Sequence, residues 1–138
     1  MALLRRQRPI ARHAAPFRRR EHRDGRDTRR TKLHACRGGD PPLSRQAAED
    51  YHRQAPEWGL LDEATRIERT YRFKNFAEAF TFTERAAALA EAEGHHPDIC
   101  FGWGYATVSL RTKKIKGLHE NDFIMAAKLD RIAAASPG

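Results

Sequence analysis

Cysteine is scarce in this chain: among 138 residues the only two are Cys36 and Cys100. They are too few for a disulfide framework and too far apart for a paired metal-binding motif. We therefore expect two reduced thiols, as in a cytoplasmic protein. Long apolar runs are also missing, because no stretch approaches the roughly 18 residues that a membrane-spanning helix needs. A secretory signal and a glycine-rich phosphate loop are absent as well.

Acidic residues are missing from the N-terminus, where the first twenty residues contain seven arginines and no Asp or Glu. Residues 1–40 hold 13 basic and 4 acidic side chains, whereas residues 41–138 hold 13 and 14. The excess positive charge therefore belongs to the N-terminal segment. Its low apolar content and like charge predict a disordered, arginine-rich extension over residues 1–42.

This extension has several interpretations. Its composition resembles an organelle transit peptide, which would make the protein organellar instead of cytoplasmic. A start codon assigned too far upstream would also explain it. Nucleic-acid binding is not favoured, because the segment lacks interleaved aromatic residues and any recognisable binding motif.

Residues 43–138 are predicted to form one domain. Ser44 is a suitable N-cap for a first helix. Strict alternation of side chains around Ile67 and Tyr71 indicates a half-buried strand. The predicted elements are a helix at 45–54, strands at 58–61 and 65–73, a helix at 76–93, strands at 98–104 and 105–112, and a helix at 119–135. This order predicts an α+β fold, a four-stranded antiparallel sheet with helices packed on one face.

The second helix carries the clearest pattern. Asn75 can cap its start, and Gly94 is typical of the position that follows a helix end. Its apolar stripe is predicted to comprise Phe76, Ala79, Phe80, Thr83, Ala86, Ala87 and Ala90. We expect Phe76, Phe80 and Phe82 to pack in the core against the sheet.

Two adjacent histidines, His95 and His96, follow this helix directly and precede Pro97. Proline disfavours helical geometry at His96, so the pair is predicted to lie in a short extended segment. Neighbouring side chains there point to opposite faces, which makes the two rings a poor metal chelate by themselves. Glu91 lies one turn earlier, and Asp122 lies in the first turn of the last helix. Helices packed on one sheet face would bring these groups together at a rim, beside an aromatic wall of Trp103 or Tyr105.

Histidine is the side chain best suited to exchange protons at neutral pH. Two of them beside one substrate would suit a dehydration or a proton shift. A surface turn or a capping element explains the same triplet, and a metal site is disfavoured because no third ligand is evident.

Four segments make the chain similar to a known family. The segments "EAEGHHPDICFGWGYATVSL" and "GLHENDFIMAAKLD" resemble the pterin-4a-carbinolamine dehydratases, and "EWGL" and "RTYRFKNFAEAFTFTERAAALAEAEGHHP" match upstream. The resemblance covers about residues 43–134 in one register. It combines a Glu four residues before the HHP triplet, an aromatic residue after it, and a "GL…D" pattern at matching distance.

The resemblance implies dehydration of a 4a-hydroxytetrahydropterin to quinonoid dihydropterin, without metal or cofactor. The substrate would lie near the turn that contains Pro97. His95 would take the N5 proton, and His96 would bind the substrate or protonate the departing hydroxyl. Glu91 and Asp122 match the family's acidic positions, where they would orient the rings or bond the pterin. Trp103 takes the family's aromatic position.

One position departs from the family pattern. A third histidine usually follows a threonine after the fourth strand, and here the pair is Thr112-Lys113. Lysine ordinarily has a pKa near 10.4, so it is charged at neutral pH and is a poor base. Lys113 could still donate a proton or stabilise a leaving hydroxide. His119 could partly compensate, although a cap for the last helix is the simpler interpretation.

The same resemblance supplies an alternative function. Relatives of this fold act as a dimerisation cofactor of a transcription factor and as a Rubisco assembly factor, so a non-catalytic binding or assembly module is the competing hypothesis. The family also implies a homodimer or homotetramer, and an aromatic amino acid hydroxylase as a pathway partner.

Overall fold

The computed structural model describes residues 40–135, and it has the predicted α+β architecture. The predicted disordered extension falls almost wholly outside the described residues. Within the described part, no helix is long and apolar enough to cross a membrane. In chain order the elements are α1 (Arg45–His52), β1 (Gly59–Leu61), β2 (Arg66–Arg72), α2 (Phe76–Glu93), β3 (Asp98–Gly102), β4 (Tyr105–Leu110) and α3 (Glu120–Ala135). A 3₁₀ turn at Lys113–Ile115 connects β4 to α3.

The four strands form one antiparallel sheet in the order β1-β2-β4-β3. Ile67 pairs with Leu110, and Tyr71 pairs with Ala106, and all four side chains are buried. Alternate residues of β2 and β4 are more exposed, since successive side chains of a strand point to opposite faces. The helices therefore cover one face of the sheet. The strand order places β3 at one edge of the sheet.

Local capping chemistry explains where the helices begin and end. The Ser44 hydroxyl accepts the Ala47 N–H at the start of α1. The Asn75 side chain accepts the Glu78 N–H at 2.9 Å, as its predicted capping role requires. Gly94 follows α2 with φ of 63°, a left-handed conformation that costs glycine little. This residue turns the chain out of the helix directly before His95.

The buried face of α2 differs from the predicted stripe. Phe82 is fully buried as expected, with its ring centroid 4.6 Å from that of Tyr71. Phe76 and Phe80 are half exposed, so the expectation that they belong to the core is wrong. The residues that α2 buries are Ala79, Phe82, Ala86 and Ala90. The phenylalanines of α2 lie on two adjacent faces of the helix. The face that is rich in small alanines packs on the sheet, because small side chains allow a close approach.

A polar network joins α3 to the sheet at the end remote from Asp122. Asp130 of α3 accepts hydrogen bonds from Trp58 Nε1, Arg69 and the Tyr71 hydroxyl. Burial, and secondarily the hydrogen bond to Asp130, raises the pKa of Tyr71 far above its ordinary value. A half-open cavity of about 730 Å³ lies at this end, lined by Arg69, Arg72, Lys74, Asp130 and their neighbours.

Candidate active site

The HHP triplet forms the connection between α2 and β3. The His95 N–H donates to the Ala90 carbonyl, which extends the hydrogen bonding of α2 past Gly94. β3 begins at Asp98, directly after Pro97. Side-chain exposure separates the two histidines, since it is 13% for His95 and 60% for His96. The two rings therefore occupy different environments, as their opposite orientations in the extended segment predict.

His95 contacts a buried carboxylate. Its Nε2 lies 2.6 Å from Asp122 Oδ1, and the Asp122 side chain is 0% exposed. Asp122 is in the first turn of α3, where the N-terminal end of the helix favours a negative charge. The pair joins the end of α2 to the start of α3, which agrees with the predicted convergence of these helices.

Asp122 has two further donors. The Thr112 hydroxyl donates to Asp122 Oδ2 at 2.8 Å, and the His119 backbone N–H donates to the same oxygen at 2.9 Å. Both carboxylate oxygens are thus engaged by groups of the protein. Asp122 is placed to hold His95, and it is buried away from any ligand that would approach from solvent.

His96 has an acidic partner of its own. Its Nε2 lies 3.0 Å from Glu91 Oε1, and both side chains are largely exposed. The sequence placed Glu91 near His95, whereas its contact in the structure is with His96. An exposed pair of this kind contributes little to stability.

Lys113 lies beside the start of β3. Its Nζ is 3.6 Å from Asp98 Oδ1, and both side chains are mostly exposed. The loop that carries Lys113 is closed by two backbone hydrogen bonds between Thr112 and Gly117, at 2.9 and 3.4 Å. Lys113, at which the sequence departs from the family that it resembles, therefore lies beside the residue that follows the HHP triplet.

Trp103 is not brought near the histidines. It is 72% exposed in the turn between β3 and β4, at the end of the hairpin opposite to Pro97. β3 lies between the two positions, and its five residues span about 16 Å at roughly 3.3 Å per residue. Tyr105, the other predicted aromatic wall, lies at that same end, against Gly102.

Two further residues of this region lie outside the set predicted to form the site. His119 Nδ1 accepts the Asn121 N–H at 3.1 Å, which supports its interpretation as a cap of α3. Thr112 entered only as the residue before Lys113, yet its hydroxyl contacts Asp122. A threonine next to a buried strand end carries no distinctive sequence signal, so only the three-dimensional contact identifies it.

Together these contacts give two imidazoles with the same chemical arrangement. Each ring directs Nε2 to a carboxylate, one buried and one exposed, and the described residues form no hydrogen bond with Nδ1 of either ring. Residues 40–135 contain no cluster of three metal-ligating side chains. The arrangement is suited to proton transfer through Nδ1.

Comparison with known proteins identifies the family of the chain. The family model described as pterin 4 alpha carbinolamine dehydratase matches residues 41–132. A relative from Azoarcus sp. (strain BH72), provisionally named pterin-4-alpha-carbinolamine dehydratase, is 59% identical over 107 residues, 78% of this chain and 92% of the relative. A relative from Cupriavidus pinatubonensis with a similar provisional name is 59% identical over 99 residues, 72% of this chain and 85% of its own.

A solved structure is also similar. The transcriptional coactivator/pterin dehydratase from Brucella melitensis aligns with a TM-score of 0.63 at 33% identity, covering 67% of this chain and 98% of that protein. The fold and the family match thus define a pterin dehydratase-like domain. The chain belongs to the pterin-4a-carbinolamine dehydratase family.

Proposed function

We propose that this protein dehydrates a 4a-hydroxytetrahydropterin to quinonoid dihydropterin and water. The N5–H bond breaks and its electron pair forms the C4a=N5 double bond. The C4a–O bond breaks at the same time, and the departing oxygen takes a proton to leave as water. The reaction needs one base, one acid and no change of oxidation state, and family membership makes the pterin the natural substrate.

We assign the base to His95. The observation that carries this assignment is the 2.6 Å contact between His95 Nε2 and the fully buried Asp122. A buried carboxylate on one ring nitrogen fixes the orientation of the imidazole and stabilises the imidazolium that forms when the other nitrogen takes a proton. His95 is also the more enclosed of the two rings, which suits removal of a proton from a bound heterocycle.

We assign the roles of general acid and of substrate binding to residues on the exposed side of the HHP triplet. His96, oriented by Glu91, would bind the substrate or protonate the leaving hydroxyl. Lys113 would stabilise the departing oxygen with its charge, next to Asp98. Pro97 would shape the turn against which the pterin lies. For Asp122 we propose positioning of His95 in place of direct pterin binding, because its oxygens are engaged by three protein donors. Trp103 is left out of the site within one chain.

We also propose that the protein is a homo-oligomer, a dimer or a tetramer. Among residues 40–135, no strand pairs with the outer side of the edge strand β3, and exposed strand edges favour pairing with another chain. Beside it, the half-exposed rings of Phe76 and Phe80 lie 5.5 and 6.1 Å from the Phe101 ring. An aromatic cluster of this kind next to a free strand edge is typical of an interaction surface.

The function is tested by comparing His95→Ala with His96→Ala in turnover of a 4a-hydroxytetrahydropterin, measured above the uncatalysed rate. Loss of a general base typically lowers the rate about 10²- to 10⁴-fold. We expect a loss of this size in His95→Ala and a smaller loss in His96→Ala. His52→Ala is a matched control, because His52 bonds the Trp58 carbonyl at the remote end of the core. Thermal unfolding verifies that each variant is folded. Unchanged turnover in folded His95→Ala would refute the assignment.

The competing function is a non-catalytic binding or assembly module. Lys113, in place of the family's usual third histidine, is the observation that favours it. A folded wild-type protein without dehydratase turnover, and without micromolar affinity for a pterin analogue, would support the module and exclude the enzyme.

A further inference from the structure

We propose that Thr112 is a positioning residue which, through Asp122, holds His95 in the tautomer with its proton on Nε2 and makes Nδ1 the proton-accepting atom. The proposal rests on the proposed function, but the positioning itself can be observed without turnover. It assigns a role to a residue that lies outside the histidine and carboxylate set.

The first step is to account for the hydrogen bonds at Asp122. An ionised carboxylate has only acceptors, so every group in contact with it must donate. The Thr112 hydroxyl and the His119 N–H both donate to Oδ2, at 2.8 and 2.9 Å. The other oxygen, Oδ1, lies 2.6 Å from His95 Nε2. This nitrogen must therefore donate, so it carries the ring proton.

The second step concerns rotation of the carboxylate. Thr112 follows β4, whereas His119 precedes α3, so the two donors reach Oδ2 from different parts of the fold. Without the hydroxyl, only one backbone donor would hold Oδ2, and the carboxylate could turn away from His95. Thr112 and Asp122 are both buried, so water cannot readily replace the missing donor.

The third step is that Thr112 is itself held firmly. Its backbone exchanges two hydrogen bonds with Gly117. Gly117 packs so closely on Pro42 that an added Cβ would lie 2.7 Å from the proline Cβ. The Leu43 N–H also donates to the Leu118 carbonyl at 2.8 Å. Pro42 and Leu43 thus brace the loop that presents the hydroxyl.

The consequence for catalysis concerns Nδ1 of His95, the ring nitrogen that would accept the proton. With Nε2 donating to Asp122, the lone pair of His95 is on Nδ1, for which the described residues provide no hydrogen-bond partner. A proton from N5 of the pterin would therefore arrive at Nδ1. If the carboxylate turned, both tautomers would be populated and the base would be available only part of the time.

The test uses Thr112→Val, which removes the hydroxyl at nearly constant shape, and Thr112→Ser, which retains it. Thr107→Val is the matched control, because the Thr107 hydroxyl pairs with that of Thr70 on the exposed face of β2 and β4, away from the site. The ¹⁵N and ¹H signals of the His95 ring report its tautomer, and steady-state turnover reports kcat and KM. Thr112→Ala provides a second hydroxyl-free variant if valine does not fold.

We expect the Nε2–H form of His95 in the wild type, in Thr112→Ser and in the control, and a mixture of tautomers in Thr112→Val. Loss of a residue that orients a metal ligand typically costs about 10- to 100-fold in activity. We expect a loss of similar size here, in kcat with little change in KM. Thr112→Ser should recover most of it. An unchanged His95 tautomer in folded Thr112→Val or Thr112→Ala, or a serine variant as impaired as valine, would overturn the proposal. A tautomer change in a protein without turnover would leave the positioning intact and refute the proposed function instead.

Discussion

His95 and His96 are adjacent and chemically identical, yet their surroundings give them different properties. His95 is mostly enclosed and bound to a buried carboxylate, whereas His96 is mostly exposed and bound to an exposed one. Electrostatic and hydrogen-bond interactions are stronger where water is excluded. The difference between the two rings therefore comes from Asp122 and Glu91, and it underlies the proposed division into base and acid.

Lys113 is the residue at which we expect a substitution to raise the proposed dehydratase activity. In Lys113→His we expect a gain in dehydratase kcat/KM of about tenfold or more, because an imidazole can both accept and donate a proton at neutral pH, whereas a lysine ammonium ordinarily stays protonated. Turnover of a 4a-hydroxytetrahydropterin is measured for Lys113→His and for the wild type. Lys114→His is the matched control, because it adds the same ring at the next position. An equal rate in Lys113→His and the wild type would mean that the third histidine position does not limit the reaction.

At the scale of elements, α2 determines where the HHP triplet lies, since its C-terminal end leads directly into His95. Gly94 makes this turn in a left-handed conformation. Apart from its chain neighbours, no atom of the described residues lies within 4 Å of the place where its Cβ would be. The cost of a side chain there is therefore conformational and not steric.

We expect Gly94→Ala to lower the free energy of unfolding by about 1 kcal/mol, because alanine is disfavoured in the left-handed region. Urea unfolding at neutral pH measures it. Gly59→Ala is the control, since Gly59 is not among the residues with positive φ and its Cβ would meet only ordinary contacts at 3.6 Å or more. Equal stability of Gly94→Ala and the wild type would contradict this account of the helix end.

The contact of β2 with α3 predicts that the free energy of unfolding changes with pH in the alkaline range. The pKa of Tyr71 is raised in the folded protein, first by burial and then by Asp130. In the unfolded chain this tyrosine ionises near pH 10, so above that pH the unfolded state binds fewer protons and the free energy of unfolding falls. The stabilisation is thus complete below about pH 10 and is lost above it.

Tyr71→Phe should cost about 1 kcal/mol at neutral pH through the lost hydrogen bond to Asp130. Its disadvantage relative to the wild type should shrink between about pH 10 and 11, because phenylalanine has no proton to lose. Urea unfolding across pH 7 to 11 measures both effects. A difference that stays constant up to pH 11 would show that Tyr71 does not carry this dependence.

At the scale of the whole molecule, the exposed aromatic rings of α2 and the free edge of β3 lie together on one side. We expect Phe80→Ser to shift the protein toward the monomer in sedimentation velocity, because it removes apolar area from the proposed interface. Leu61→Ser is the matched control, since Leu61 is also an exposed apolar residue but lies on β1, at the opposite edge of the sheet. Identical sedimentation of Phe80→Ser and the wild type would place the interface elsewhere.

Much of this molecule could be derived from local sequence patterns. Alternation around Ile67 predicted β2, caps at Ser44, Asn75 and Gly94 predicted helix boundaries, and the HHP triplet predicted two rings in different surroundings. These signals are local because capping and strand alternation involve residues within about four positions of one another. The resemblance to a family then supplied the reaction and the candidate residues.

The remaining features depended on how distant segments pack. His95 and Asp122 are 27 positions apart, and their contact exists only because α2 and α3 meet on one face of the sheet. The same packing exposed Phe76 and Phe80, and the length of β3 separated Trp103 from the histidines. The sequence by itself determined the elements and the chemical groups, since these follow from neighbouring residues. Only the tertiary structure decided which carboxylate holds which ring, because that depends on where separate elements come together.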